Sequence, residues 1–384
     1  MTPVELSRTV LRAMRRAVDD GELSGLGDVG VAERVVVERP RAGGCGDYAT
    51  NVALQVARAA GRSPRQVAEV LSPRLTGEPG IAAIDITGPG FLNITLERGD
   101  PQSSGSASAA LVRDVLTQGA SYGHASPGHS SPGHTRPEGA RPEGARPGSA
   151  HPEQASPGRA HLRIPREVRA AVLADALRRI LLSQGVIVRL TCDEAPDPGW
   201  AALGVHIDAH GKPPAASLHV LPVPAPSAPS PLGSDAARWA LLHPAAHDRA
   251  RISDEHLVQR ASNPLFRVRY AHSRVRALTR NAGALGFSSE VGDVAGGEAR
   301  DLVDALADYP RILAAAARHR APDRLARHLV VVADAFLAFQ PDVLPLGDEK
   351  PSAAHRARLA LAEAAGTVLA GGLSLLGISA PEYL

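Results

Sequence analysis

The feature that most constrains this chain is a break. Between residues 101 and 160, after a short helical piece AALVRDVLTQGASYG, the sequence becomes Pro/Gly-rich repeats, SPGH, SPGH, RPEGA, RPEGA, RPGSA and SPGRA, at a period of about five. Such polar sequence buries too little apolar area to offset the entropy of ordering it, so a disordered linker is expected. No single core runs through it, and 384 residues suffice for two or three domains. His124, His129 and His134 fall five apart around this stretch. They read as solvated histidines, not as metal ligands.

On the N-terminal side, Val10, Leu11, Met14 and Val18 recur at helical spacing and the helix runs out at Asp19-Asp20-Gly21. Val35 to Val37 read as a short strand. A second helix places Val52, Ala53, Val56, Ala57 and Ala60 on one face, and Ser63-Pro64 caps a third that Pro73 should end or kink. In IAAIDITGPGFLNITL two alternating runs flank GPG, which predicts paired strands. Period two puts Leu92, Ile94 and Leu96 on one face and Phe91, Asn93 and Thr95 on the other. An aromatic beside an amide on an open sheet face can stack and hydrogen-bond an unpaired base, while Phe91 could equally cover the turn.

On the C-terminal side, REVRAAVLADALRRILLSQG leads into VIVRLTCDE, a helix and a strand as in one unit of a parallel α/β sheet. Residues 196 to 232 are Pro/Ala-rich and fragmentary. From Gly233 the pattern is helical almost to the end, which predicts a helical bundle. Within it, Asn263 to Arg280 stacks Val268, Ala271, Val275 and Leu278 on a face to bury, flanked by two arginine stripes, Arg267 with Arg274, and Arg269 with Arg276 and Arg280. By itself that pattern is also the solvated basic face of an ordinary bundle helix.

The net charge of +2 announces no global field for nucleic acid. Only Lys212 and Lys350 are lysines, so 40 of the 42 basic residues are arginines, and every basic surface is built from guanidinium groups suited to phosphate forks and base stacking. Cys45 and Cys192 lie far apart without ligand partners at metal spacing, so neither a zinc site nor a disulfide framework is expected. The N-terminus lacks a basic-then-apolar signal, and no apolar run is read as membrane-spanning. A cytoplasmic protein without membrane contact is the expectation.

GDYATNVALQVA (46–57) with GPGFLNITL (88–96) resembles the N-terminal additional domain of arginyl-tRNA synthetases. GSDAARWALL (233–242), NPLFRVRYAHSRV (263–275) and LLGISAPEYL (375–384) are similar to that family's DALR anticodon-binding domain, in family order. The resemblance implies four segments: an N-terminal additional-like domain at 1–100, a short helix and linker at 101–160, a degenerate class I core remnant at 161–232, and a DALR-like bundle at 233–384. The implied fold is α+β and multidomain, with a small α/β domain, a disordered linker, a residual Rossmann-like α/β fragment and an all-α bundle. It also makes Phe91 and Asn93 candidates for tRNA D-loop contact, Tyr270, His272 and Arg274 anticodon-side candidates, and Arg267, Arg269, Arg276 and Arg280 candidate phosphate contacts. Arginine stripes neutralise phosphates and aromatics stack splayed bases.

The middle departs from the family. A class I synthetase holds ATP with a HIGH motif at the first strand-to-helix turn and uses the lysines of a KMSKS loop on the transferring phosphates. With Asp175 taken as the family's aspartate in the first core helix, the HIGH position falls on Ile164-Pro165-Arg166-Glu167, without either histidine; His161 lies upstream in another register. Gly211-Lys212-Pro213-Pro214-Ala215-Ala216-Ser217 is the best KMSKS relic, with two prolines after Lys212 and no second base. The resemblance therefore implies a catalytically inactive, tRNA-binding pseudoenzyme whose partner is tRNA, tRNA(Arg) by kinship, with no metal and no cofactor. ATP enters only if the family activity is retained, and an ATP-dependent arginine–tRNA ligase is the alternative. A third reading is an interaction scaffold that pairs with the authentic synthetase or a tRNA-modifying enzyme and binds no RNA.

Overall fold

A computed structural model describes residues 3–23, 35, 37–38, 47–96, 101–125, 158–212, 217–294 and 296–384. The chain divides into two compact units, Met1–Ser106 and Ala107–Leu384. The linker repeats between 126 and 157, with His129 and His134, lie outside the described residues, as does Cys45.

In the first unit, helix α1 (Pro3–Asp19), strands β1 (Val37–Glu38) and β2 (Tyr48–Thr50), helices α2 (Val52–Val56) and α3 (Pro64–Thr76), and strands β3 (Ile81–Thr87) and β4 (Phe91–Leu96) follow in order. The strands form an antiparallel sheet in the order β1-β2-β4-β3. Leu6, Val10 and Met14 of α1 join Val52, Val56, Val67, Leu71 and Leu75 against Ile81, Leu92 and Ile94 in one core. Each such side chain contributes about 1.5–3 kcal/mol by leaving water.

Ser63 starts α3 through a reciprocal capping box, its Oγ accepting from Gln66 N at 3.3 Å while Gln66 Oε1 accepts from Ser63 N at 3.0 Å. Pro73 does not end the helix as expected. It sits in the last turn, so α3 runs on to Thr76 before Gly77 closes it.

The second unit begins within helix α4 (Pro101–Gln118), which starts earlier than the sequence pattern suggested. Val112, Val115 and Tyr122 enter the core of this unit, with Tyr122 Oη donating to the Leu306 carbonyl at 3.2 Å. The segment up to Ala125 is therefore part of a packed unit and not of a linker.

Next come β5 (Gly158–Ile164), α5 (Val168–Ser183), β6 (Val186–Cys192), β7 (Ala209–His210) and β8 (Leu218–His219). They make a parallel sheet in the order β7-β6-β5-β8, larger than the single βαβ unit the sequence suggested. Helices α6 (Gly233–Leu242), α7 (Pro264–Ala284), α8 (Gly297–His319), α9 (Pro322–Phe339) and α10 (Ala353–Leu376) complete the unit. Parallel sheet and helical bundle share one continuous core, so packing draws no boundary at residue 232.

The predicted face of α7 is buried, with Val268, Ala271, Val275 and Leu278 all inside. Gly366 of α10 lets the two helices close up, since a Cβ there would stand 2.8 Å from Val275 Cγ1. The sequence reading found no membrane-spanning apolar run. Helix α10 corrects it, being long and apolar enough by length and composition, yet 67% of its most apolar window is buried inside the bundle. Its hydropathy is that of a central core helix.

Candidate nucleic-acid interface

Helix α7 starts where the dipeptide Asn263-Pro264 dictates. Asn263 Oδ1 accepts from Leu265 N at 3.1 Å, and Pro264 has no N–H to lose at the first helical position. The same amide holds the preceding loop, its Nδ2 donating to the carbonyls of His256 and Val258 at 2.9 Å each.

The two arginine stripes of α7 exist, and the structure uses both as seams. Arg267 Nη1 forks onto Asp334 of α9 at 2.9 and 3.0 Å, and Arg274 Nε donates to Gln340 Oε1 at 3.2 Å. On the other side Arg269 reaches Asp235 of α6 at 3.5 Å, Arg276 pairs with Glu382 at 2.8 Å, and the Arg280 guanidinium lies 4.4 Å from the centre of the Tyr383 ring.

The chain's last residues are thereby strapped along α7, and His272 completes the strap: its Nδ1 donates to the Pro381 carbonyl at 2.9 Å. His272 is 7% exposed, and burial pulls its pKa below the usual imidazole value. This corrects the expectation of an available anticodon-side imidazole. The ring is consumed by an internal hydrogen bond, because the tail packs on that side of the helix. Tyr270 stacks one ring face on Phe266, with centroids 5.4 Å apart.

What remains open on this face is Arg276, Arg280 and the 70%-exposed Tyr383. Tyr383 is a group the sequence reading did not single out; it meets Arg280 only through the fold, so no local spacing marks it. Beside the first turns of α7 lies a cavity of about 350 Å³ lined by Asp235, His256, Gln259, Asn263, Phe266 and Arg269. The Nε atoms of Arg267 and Arg269 are buried and have no partner among the described residues.

In the first unit, Phe91 stands 40% exposed next to the turn. Gly90 fixes that turn: its φ is +141° and a Cβ would meet the Pro64 carbonyl oxygen at 2.7 Å, so the hairpin tip rests on the start of α3. Asn93 is corrected. It is 3% exposed and donates Nδ2 to Thr87 Oγ1 at 2.7 Å, because β4 is flanked by β2 and β3 and the diagonal neighbour takes the amide. Of the two candidates on that strand, Phe91 alone is exposed.

The turn after β5 is built differently. Ile164 is buried at the end of β5, Pro165 turns the chain, and Arg166 lies exposed, 3.9 Å from Asp197. Glu167 caps α5: Oε1 accepts from Arg169 N at 3.0 Å and Oε2 from Ala170 N at 2.7 Å. Oε1 also accepts from Ala225 N at 3.0 Å, beyond β8. The strand order reverses between β5 and β8, and the carboxyl end of that switch point is where open α/β sheets take ligands. A protein carboxylate occupies the helix N-terminus at that point.

Lys212 is exposed just past edge strand β7, with β6 between it and β5, and residues 213–216 lie outside the described residues. His161 meets Thr191 Oγ1 at 2.7 Å.

Asp175 is fully buried under this turn. It accepts from Arg238 Nη2 and Arg178 Nη2 at 2.8 Å each and from Arg179 Nε at 3.2 Å, which joins α5 to α6. Burial lowers the Arg238 pKa, and Asp175 opposes that shift.

Comparison with known proteins agrees with this architecture. Residues 6–96 match the family described as arginyl tRNA synthetase N terminal domain, and residues 268–384 match DALR anticodon binding domain. A Frankia alni protein named arginine–tRNA ligase is 30% identical over an alignment of 567 positions that spans all of both chains. A Renibacterium salmoninarum protein of the same name is 28% identical over 575 positions, again across all of both.

Against 384 residues here, the 567 positions leave at least 183 without a residue of this chain. Among solved structures, arginyl-tRNA synthetase from Plasmodium falciparum is similar with a TM-score of 0.65 at 9% identity, covering 100% of both chains. The Thermus thermophilus enzyme is similar with a TM-score of 0.56 at 16% identity, covering 97% of this chain and 100% of that one. Two terminal modules in family order, a fold shared along the whole length and a full-length relative at 30% identity have one common explanation: this chain belongs to the arginyl-tRNA synthetase family.

Proposed function

We propose that this chain docks tRNA, in particular tRNA(Arg), and does not activate arginine. The observation that carries the second half is Glu167. Its carboxylate takes the backbone donors of α5 that a nucleotide phosphate would need, and an incoming phosphate would meet a like charge there. The lost HIGH histidines, the isolated Lys212 and the alignment positions without residues point the same way. We infer that those positions belong to the catalytic sheet, between the two matched modules.

The first half rests on the modules themselves. The Phe91 hairpin supplies a stacking group for the D-loop side. Helix α7, with Arg274, Arg276, Arg280 and Tyr383, supplies cations and an aromatic ring for the anticodon side. Arg267 and Arg269 contribute after exchange of their carboxylate partners for phosphate. On this reading the protein works in the cytoplasm as an adaptor or regulator, without metal or ATP, and presents bound tRNA to the authentic synthetase or to a tRNA-modifying enzyme.

One observation favours a second reading, arginine–tRNA ligase activity: the relatives matched along the whole chain carry that name. Arginine-dependent ATP–pyrophosphate exchange separates the two. The proposal expects none, together with binding of a tRNA(Arg) transcript over other tRNAs that Arg274→Glu with Arg276→Glu weakens. Clear exchange sinks the inactive reading, and binding without preference or response to those changes sinks the tRNA reading.

A further inference from the structure

Parallel strands covered on both faces read as continuous apolar runs. Strands β5, GRAHLRI, and β6, VIVRLTC, instead alternate, and their register makes the alternation coherent. Arg159 pairs with Ile187, His161 with Arg189 and Arg163 with Thr191, while Arg163 also pairs with His219 of β8. One face of the sheet therefore carries Leu162, Ile164, Leu190 and Cys192, all fully buried in the core with α5.

The opposite face carries Arg159, His161, Arg163, Arg189 and His219 around one large apolar side chain, Ile187, which is 48% exposed. Arg159, Arg189 and His219 are exposed. No strand residue on this face is an Asp or Glu; the nearest acid along the chain, Asp193, pairs with Arg163 at the carboxyl edge. Arg159 and Arg189 have no partner among the described residues. They sit on a diagonal of neighbouring strands, two residues along and one strand across, about 8 Å apart by sheet geometry.

This face has the wrong composition for a protein–protein core, which is depleted in charge and rich in apolar anchors. It has the right one for a polyanion: the free guanidinium forks of Arg159 and Arg189 stand on a pleated platform beside the imidazoles of His161 and His219, and the one carboxylate paired at its edge, Asp193, is taken by Arg163. We propose that the face of the β5–β6 sheet remote from α5 is a third RNA-docking surface. It lies in the core remnant, outside both matched modules, and takes phosphate backbone without reading sequence. The inference rests on the RNA-binding reading above and adds to it a contact that neither module contains.

The test compares the full chain with two paired variants, Arg159→Glu/Arg189→Glu and Arg159→Lys/Arg189→Lys, for binding of a tRNA(Arg) transcript and an unrelated tRNA across a salt series. Two lost phosphate contacts make the slope of log K against log salt shallower by about 1.5, or about thirtyfold weaker binding at 0.1 M salt for equal affinity at 1 M. The glutamate pair should show that loss with both RNAs alike, and the lysine pair should retain most of the slope. Both side chains are exposed, so thermal melting should be unchanged; Arg159→Ala/Arg189→Ala repeats the measurement if charge reversal disturbs folding.

Wild-type binding with the slope unchanged in both the glutamate and alanine pairs overturns this inference alone. A loss confined to one RNA overturns the sequence-independent contact. A wild-type chain that binds neither RNA overturns this inference and the tRNA reading together.

Discussion

Replacing Asp175 by asparagine keeps the shape of a fully buried side chain and removes its charge. Arg238, also fully buried, would then hold its cation against neutral oxygens alone, the carbonyls of Leu203 and Leu376 at 2.8 Å each and the asparagine amide, without the carboxylate it now bonds. Arg178 and Arg179 are 20% and 39% exposed and can turn to water, so their share is discounted. Stranding one buried charge costs about 3–5 kcal/mol, a large part of a domain's total stability. At roughly 2–4 °C per kcal/mol for a unit of this size, the melting temperature of the second unit should fall by about 10 °C. Differential scanning calorimetry on the full chain reads this directly. The companion variant Asp175→Leu/Arg238→Met, which removes both charges, should recover most of the loss. A fall under about 2 °C for Asp175→Asn, or a double variant as unstable as the single one, refutes the claim that this pair clamps α5 to α6.

Two further expectations follow from the site. Glu167→Ala removes a helix cap and strands Ala225 N, so it should cost about 2–4 kcal/mol in chemical denaturation, and Glu167→Gln, which keeps an acceptor, clearly less. Burial lowers the folded-state pKa of His272, so its neutral form contributes stability that is complete above the unfolded value of 6.5 and is lost as the pH falls below it. By pH 5.5 that loss reaches up to about 1.4 kcal/mol for this one group, and His272→Asn, which can still donate to Pro381, should flatten the acid limb of a stability–pH curve by that amount.

What the sequence made legible was whatever repeats locally. The buried face of α7, the GPG hairpin and the capping of α3 are all written in spacings of two, three or four residues, and all three are where the pattern put them. Partnerships were not legible. Arg267 meets Asp334 and Arg276 meets Glu382 across separations of 67 and 106 residues, so a stripe that looked free proved to be two packed seams. Asn93 failed for the same reason, since period two assigns a face but not what neighbouring strands do with it. Strands β7 and β8, two residues each, are too short to carry any period.

On the proposed reading, the fate of α5 explains how the β5–β6 sheet can persist without nucleotide chemistry. In a working nucleotide site the first turn of this helix must keep its donors for phosphate. Here Glu167 takes them, and two residues on Arg169 turns fully inward. Its guanidinium donates to the carbonyls of Leu241, Pro244 and Ala245, at and just beyond the end of α6, and to those of Val223 and Asp248. Burial lowers its pKa, and the carbonyl oxygens at the negative end of α6 are what hold the cation. Further along the same helix, Asp175 grips Arg238 in the middle of α6. The helix that opens a catalytic site in the rest of the fold is thus bolted at two levels to the first helix of the bundle. Removing α5 would leave a buried Arg238 without its counter-charge, so the bundle that carries α7 depends on α5 whether or not any adenylate is ever made.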